Sequence, residues 1–251
     1  MEQEPLPTST PPPFETATPT IIWFPASPTP TRVPVIPAQP TPDQRPAIGE
    51  IVLTDDFITE KNWQTIETSA GAVAYGKGDL TIAISKPFEY LSSLNKEILL
   101  TDFYLEMTLS PSLCRGNDSY GLLFRAATGF DNYRLLFNCS GMVRLERMID
   151  GKPVPLRDWE ASGQVPPGSP LKIRVGIWSV RNELRFFIND FYQFNARDPV
   201  YTNGGIGVFA RSGGQNALTV SFSDLVIHDI VPEQVPTFAP PTPIPSPTPR
   251  E

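Results

Sequence analysis

Between residues 48 and 231 apolar and polar side chains take turns along almost every segment, the period-two pattern of strands with one face buried. The clearest stretch is Ser119 to Asp150. There Tyr120, Leu122 and Phe124 alternate with Gly121, Leu123 and Arg125, and Tyr133, Leu135 and Phe137 alternate with Arg134, Leu136 and Asn138. Thr128 to Asn132 and Asn138 to Gly141 supply turn residues, so the stretch predicts a three-stranded antiparallel meander.

The same reading places a first strand at Glu50 to Phe57, with Trp63 folding back onto the core. It places a hairpin at Ala72–Tyr75 and Asp79–Ser85 across Gly76-Lys77-Gly78. A strand is expected over Ile98 to Leu109, with Phe103, Leu105, Met107 and Leu109 inward and Tyr104, Glu106 and Thr108 on a wet face. Asp150-Gly151 and Asn189-Asp190 mark tight hairpins, and Asp158-Trp159 leads into a loop from Ser162 to Pro170. Leu171, Ile173, Val175 and Ile177 alternate with Lys172, Arg174 and Trp178. Gly204–Arg211 and Ala217–Ile230 close the fold, and a change of parity near Ser223-Asp224 calls for a bulge. No stretch has a helical period, so some dozen short strands predict an all-β, two-sheet antiparallel sandwich or jelly roll.

Proline sets the boundaries. Of 30 prolines, 14 fall before residue 47, eight after residue 231 and eight between. Residues 1–47 and 232–251 are therefore expected to be disordered Pro/Thr-rich linkers around one domain, residues 48–231. Such segments serve as stalks on secreted and surface proteins, or as ligands of proline-reading domains. Ile21 to Pro25 interrupts the first with an apolar patch whose role the sequence leaves open. The formal charge of −7 divides as about −2, −4 and −1 over these three segments, which gives nucleic acid no basic footprint. The chain contains no apolar run of membrane-spanning length and no signal-peptide pattern, so an export signal or anchor would belong to sequence outside it.

The ordered motifs DDF followed by Trp63, GLLFRA, NYRLLFN, LKIRV, ELRFFIND and GGIGVFAR before VSFSDLVI resemble the concanavalin A-like lectin/glucanase superfamily. Within it the likeness is greatest to laminin-G-like and 3-keto-disaccharide hydrolase-like jelly rolls of bacterial surface proteins. The resemblance covers about Asp55 to Ile230 and implies that the two ends of the domain lie together in one sheet. The Glu-x-Asp-x-x-Glu strand of the laminarinase branch is missing, and Glu146 and Asp224 lack partner carboxylates. A single histidine, His228, excludes a nucleophilic triad and a His-rich metal site, and is read as structural or solvated. No catalytic residue and no cofactor is assigned. Asn117-Asp118 and Asp131-Asn132 offer oxygen ligands for Ca²⁺, but they are also ordinary turn residues.

The polar parity of the strands carries Tyr104, Glu106, Arg125, Arg134, Arg144, Glu146, Arg174, Trp178 and Arg185. If they share one sheet they form an arginine and aromatic surface of the kind that stacks and reads a sugar. The alternative is a solvated face held by cross-strand Arg/Glu pairs. Cys114 and Cys139 flank a predicted strand pair and are placed to bridge; two free thiols are the alternative. The reading these features favour is an extracytoplasmic, secreted or cell-surface module that binds a glycan or polysaccharide without catalysis. An enzyme on 3-keto-glycosides and a structural or protein-binding surface domain, with cell-surface proteins as partners, are the other two readings.

Overall fold

The structure, a computed structural model, describes residues 43–214 and 216–231. Residues 1–42, with the Ile21–Pro25 patch, and 232–251 lie outside the described residues, whereas 43–47, the end of the first expected linker, are described and pack on the domain. Fifteen strands are present among the described residues and no helix. They are β1 Ile48–Asp55, β2 Ile66–Thr68, β3 Gly71–Tyr75, β4 Leu80–Ile84, β5 Tyr90–Leu94, β6 Phe103–Leu113, β7 Ser119–Ala126, β8 Asn132–Asn138, β9 Met142–Ile149 and β10 Lys152–Ala161. The remainder are β11 Ile173–Val180, β12 Glu183–Ile188, β13 Phe191–Arg197, β14 Gly205–Arg211 and β15 Leu218–Ile230.

All pairings are antiparallel and form two sheets. One runs β13-β12-β11-β6-β15-β4-β3-β2, with β1 also on β15; the other runs β10-β9-β8-β7-β14-β5. Strand β15 is long enough to serve two partners on one edge. Leu218 to Phe222 pair with β4, and beyond the bulge Leu225 to Ile230 pair with β1. The bulge falls at the expected place: Asp224 takes φ of 53° and the register against β6 slips between Ser223 and Val226.

The inward parities of both sheets meet in one core that contains Leu105, Phe124, Leu135 and Ile173 together, as sandwich packing requires. The expected turns hold. Asp150-Gly151 and Asn189-Asp190 all take positive φ, the type I′ signature that matches strand twist. Trp63 is buried against Phe57, ring centroids 5.4 Å apart, and its Nε1 donates to Asp55 Oδ2 at 2.9 Å. Cys114 and Cys139 form a disulfide across a Cα separation of 5.6 Å.

Three expectations need correcting. Residues 98–102 lie before β6 rather than in it, and Asp158-Trp159 belong to β10. The outer face of β6 is not wet: Tyr104 and Thr108 are buried. For Tyr104 the reason is the segment 44–48, which crosses the outer face of the nine-stranded sheet and covers a small apolar cluster of Tyr104, Trp178, Val180, Phe187 and Ile230; Thr108 lies between Arg174 and Ser223 of the flanking strands. Alternation reveals that a residue points away from the core. It does not reveal what else covers it.

Candidate functional site

The nine candidate residues do not share one sheet. Tyr104, Glu106, Arg174, Trp178 and Arg185 lie on the nine-stranded sheet; Arg134, Arg144 and Glu146 lie on the six-stranded one, and Arg125 lies in its strand β7 with its side chain buried.

Arg125 is wholly buried with φ of 46°. Its guanidinium donates to the carbonyls of Arg181 at 2.7 Å, Tyr201 at 3.0 Å and Thr101 at 3.0 Å, with Asp102 Oδ1 3.7 Å away. It ties three loops together inside the protein, where no ligand reaches it.

Of the five on the nine-stranded sheet, Tyr104, Trp178 and Arg185 hold the 44–48 segment directly, with Glu106 and Arg174 behind them. Trp178 Nε1 donates to the carbonyl of Pro46 at 2.9 Å, and Arg185, stacked 4.5 Å over the Trp178 ring, donates to the carbonyl of Gln44 at 2.9 Å. Arg45 donates to Tyr104 Oη at 3.0 Å and pairs with Asp190 at 3.1 Å; Tyr104 in turn donates to Glu106 Oε1 at 2.7 Å. Burial raises the Tyr104 hydroxyl above its ordinary pKa, with Arg45 pulling the other way. Arg174 pairs with Asp190 at 2.6 Å and holds that carboxyl below its ordinary range. His228 stands at the margin of this face, its Nδ1 3.2 Å from the Gly49 carbonyl, in keeping with a structural role.

The groove is on the other sheet. It has a volume of about 620 Å³ and crosses the outer face of the six-stranded sheet. Its floor is apolar, Leu136 and Phe209 with Tyr90 and Trp159, part of a cluster that Leu123 and Leu94 complete. Gly121 opens the floor. A Cβ there would meet the Leu135 carbonyl oxygen and come within 3.2 Å of the Phe209 ring, so the ring lies low only because this position has no side chain. Tyr90 stacks on Phe209, centroids 5.8 Å apart and planes at 26°.

Over this floor lie three arginines and one carboxylate. Arg134 places its Cζ 4.9 Å from the Tyr90 centroid and 5.7 Å from that of Phe209. Burial raises the Tyr90 hydroxyl pKa and the Arg134 charge opposes it. On β9, Arg144 Nε lies 2.9 Å from Glu146 Oε1, close but out of line for a hydrogen bond, and its Cζ is 5.8 Å from the Trp159 ring. Arg211 enters from β14, opposite Ser119 and Tyr90. Phe88 and Phe130 stand among the lining residues at 71% and 70% exposure, apolar side chains held in water. The lining thus offers aromatic rings for stacking, forked donors, and the amides Asn117 and Asn138.

Pattern reading missed Tyr90, Trp159, Phe209, Phe88 and Phe130. Phe209 sits among core-forming residues of a mostly apolar strand, and Trp159 lies in a strand with prolines at 153 and 155 and charged residues on either side, so neither has a legible parity. The signal that was available is the pair Gly121 and Phe209, a glycine opposite an aromatic in neighbouring strands.

The turn carboxylates are engaged by the chain itself. Asp118 accepts the amides of Arg115 at 2.9 Å and Gly213 at 2.8 Å; Asp131 accepts the amide of Asp150 at 2.9 Å. Asp118 also lies with Cys114 and Cys139 in a group whose ligand atoms fall within 4.8 Å, but both sulfurs are committed to the disulfide.

No protein-family model matches the chain, and no curated protein matches it. Solved structures do. The carbohydrate binding module CBM66 from Bacillus subtilis superposes with a TM-score of 0.56 at 15% identity, over 67% of this chain and 96% of that one. A Bacillus subtilis protein of unknown function with a galectin-like fold gives 0.54 at 13%, over 74% and 99%. Bacillus licheniformis beta-glucanase gives 0.54 at 11%, over 72% and 98%. At these identities the likeness is one of fold, and the fold is the concanavalin A-like jelly roll.

Proposed function

We propose that this concanavalin A-like jelly roll binds carbohydrate in the groove of its six-stranded sheet, without catalysis and outside the cytoplasm. The observation that carries the reading is the layering of that groove: a floor of stacked Tyr90 and Phe209, with Trp159 at one side and guanidinium groups above. A pyranose or furanose has an apolar face that stacks on a ring and an equatorial belt of hydroxyls that needs directed donors and acceptors, and the groove supplies both. A similar fold in the carbohydrate binding module CBM66 supports the reading.

Against turnover stands the inventory of acids. Among the described lining residues Glu146 is the one carboxylate, and it faces Arg144. Glycosidases set two carboxyl groups about 5–9.5 Å apart on either side of the bond, one of them protonated. The disulfide supports an oxidising compartment, because cytosolic reductants keep such pairs open.

The test is a glycan array followed by calorimetry with the purified domain, Tyr90→Ala and Trp159→Ala. Binding should appear and weaken by about tenfold or more in each variant, the effect of losing a stacking ring worth roughly 1–2 kcal/mol. A folded domain that binds no polysaccharide defeats the proposal. A second reading, hydrolysis or lyase chemistry on a 3-keto-glycoside or related sugar, draws on the position of Glu146 inside the groove. Sugar turnover abolished by Glu146→Gln would replace the first reading with this one.

A further inference from the structure

The charge of the groove is opposite to that of the protein. The chain carries a formal −7, yet the groove lining has three guanidinium groups, Arg134, Arg144 and Arg211, against the single carboxylate of Glu146. Glu146 is spent on Arg144 at 2.9 Å; a more distant acid, Asp158, lies 3.8 Å from the same guanidinium and is largely in solvent. The other two arginines have no carboxylate at ion-pair distance among the described residues. Arg211 meets no acceptor among the described residues. Arg134 has only long contacts to neutral oxygens, Asn132 Oδ1 at 3.3 Å and the Gly129 carbonyl at 3.4 Å. Asp131 and Asp150 stand in the turns at one end, outside the lining, and Asp131 is tied to the Asp150 amide.

A sugar hydroxyl both donates and accepts, so a neutral sugar needs acceptors as well as donors, and Glu146 is the single charged acceptor in this lining. What it has in excess is forked cationic donors, which match the two oxygens of a carboxylate or sulfate. Arg134 also rests over the Tyr90 ring, its Cζ 4.9 Å from the centroid, so its fork is partly ordered before a ligand arrives and less entropy is lost on binding. The structure assigns the groove to an acidic glycan, a polymer of carboxylated or sulfated sugars whose anionic groups meet Arg211 and Arg134. This assignment rests on the carbohydrate-binding reading above and narrows it. The net negative charge of the chain opposes the approach of polyanions, so the cationic groove would favour one orientation as well as adding affinity.

The experiment is affinity electrophoresis and calorimetry on the whole chain and on Arg211→Gln, at about 50 mM and about 500 mM salt, a range over which exposed charge interactions are strongly screened. The probes are polygalacturonate and alginate as carboxylated polymers, chondroitin sulfate and dextran sulfate as sulfated ones, levan and mixed-linkage β-glucan as neutral ones, and duplex DNA. Binding of one or both acidic classes, weakened about tenfold by salt and about tenfold by Arg211→Gln, with neutral polymers unbound, is the expected result. Which acidic class binds identifies the anion. Binding of neutral polymers that ignores salt and Arg211→Gln overturns the assignment and leaves carbohydrate binding standing. Failure of every polymer to bind a folded chain overturns both. DNA bound as tightly as the acidic glycans overturns the assignment in favour of an unselective polyanion patch.

Discussion

The guanidinium of Arg125 reaches the carbonyl of Arg181 at 2.7 Å from a position with no solvent exposure. Two further carbonyls, of Thr101 and Tyr201, complete the arrangement, so one side chain closes the start of β6, the β11–β12 turn and the approach to β14. Burial lowers the guanidinium pKa, which measures the cost of keeping a cation there; the carbonyls and Asp102 offset it. Arg125→Met removes the one donor group that the three carbonyls share and leaves an apolar side chain in its place. The expected loss of stability is about 3–5 kcal/mol, seen as a lower urea midpoint with an unchanged slope.

Reducing the disulfide should also destabilise the domain. Cys114 and Cys139 are 25 residues apart, and a cross-link over a loop of that length removes denatured-state entropy worth about 3–4 kcal/mol at 25 °C. Thermal melts with and without reductant, and of Cys114→Ser with Cys139→Ser, should agree on the direction and approximate size. Because β7 and β8, which carry part of the groove, begin and end beside this bridge, glycan affinity should fall with it.

Gly121 should resist substitution. Gly121→Ala sets a methyl group against the Leu135 carbonyl in the neighbouring strand and within 3.2 Å of Phe209, in the middle of a sheet where neither backbone can yield. A loss of about 1–3 kcal/mol is expected, together with weaker ligand binding as the Phe209 ring is lifted from the floor. Denaturant titration measures the first and calorimetry the second.

The 44–48 segment should respond to acid. Arg174, then Arg45, hold the Asp190 carboxyl below its ordinary value of 3.8. A folded-state pKa below the unfolded one means that the stabilisation is complete above the unfolded value and is lost as pH falls through the folded one. The carboxylate is half exposed, so the effect is modest, about 0.2–1 kcal/mol, and salt-dependent. Trp178, whose indole donates to Pro46, reports it. Its fluorescence should shift toward the exposed form below about pH 4 at lower denaturant than at neutral pH, and Asp190→Asn should flatten that difference.

The strands were legible because each carries its own evidence. In β7, β8 and β11 an apolar residue at every second position has one physical explanation, and the positive φ at Asp150-Gly151 and Asn189-Asp190 follows from residue types that tolerate it. Part of the groove's lining was legible. Arg134, Arg144 and Glu146 were found by parity, because parity distinguishes inward from outward. It cannot distinguish the outside of one sheet from the outside of the other, which depends on strand order set by contacts far apart in sequence. That is why Tyr104, Arg174, Trp178 and Arg185 were grouped with residues on the opposite side of the domain. Arg125 escaped for a different reason: a left-handed backbone turned its side chain out of the alternation and into the loops.

The amide of Val231 donates to the carbonyl of Ala47 at 2.9 Å, beyond the last rung of the β1–β15 ladder. The chain therefore enters and leaves the domain at neighbouring points, on the layer that does not bear the groove. A load applied between those points would peel the β1–β15 ladder rung by rung rather than shear it, so the domain should open at low force. Immobilising the protein through either point leaves the groove turned toward the surrounding medium, whichever end is fixed.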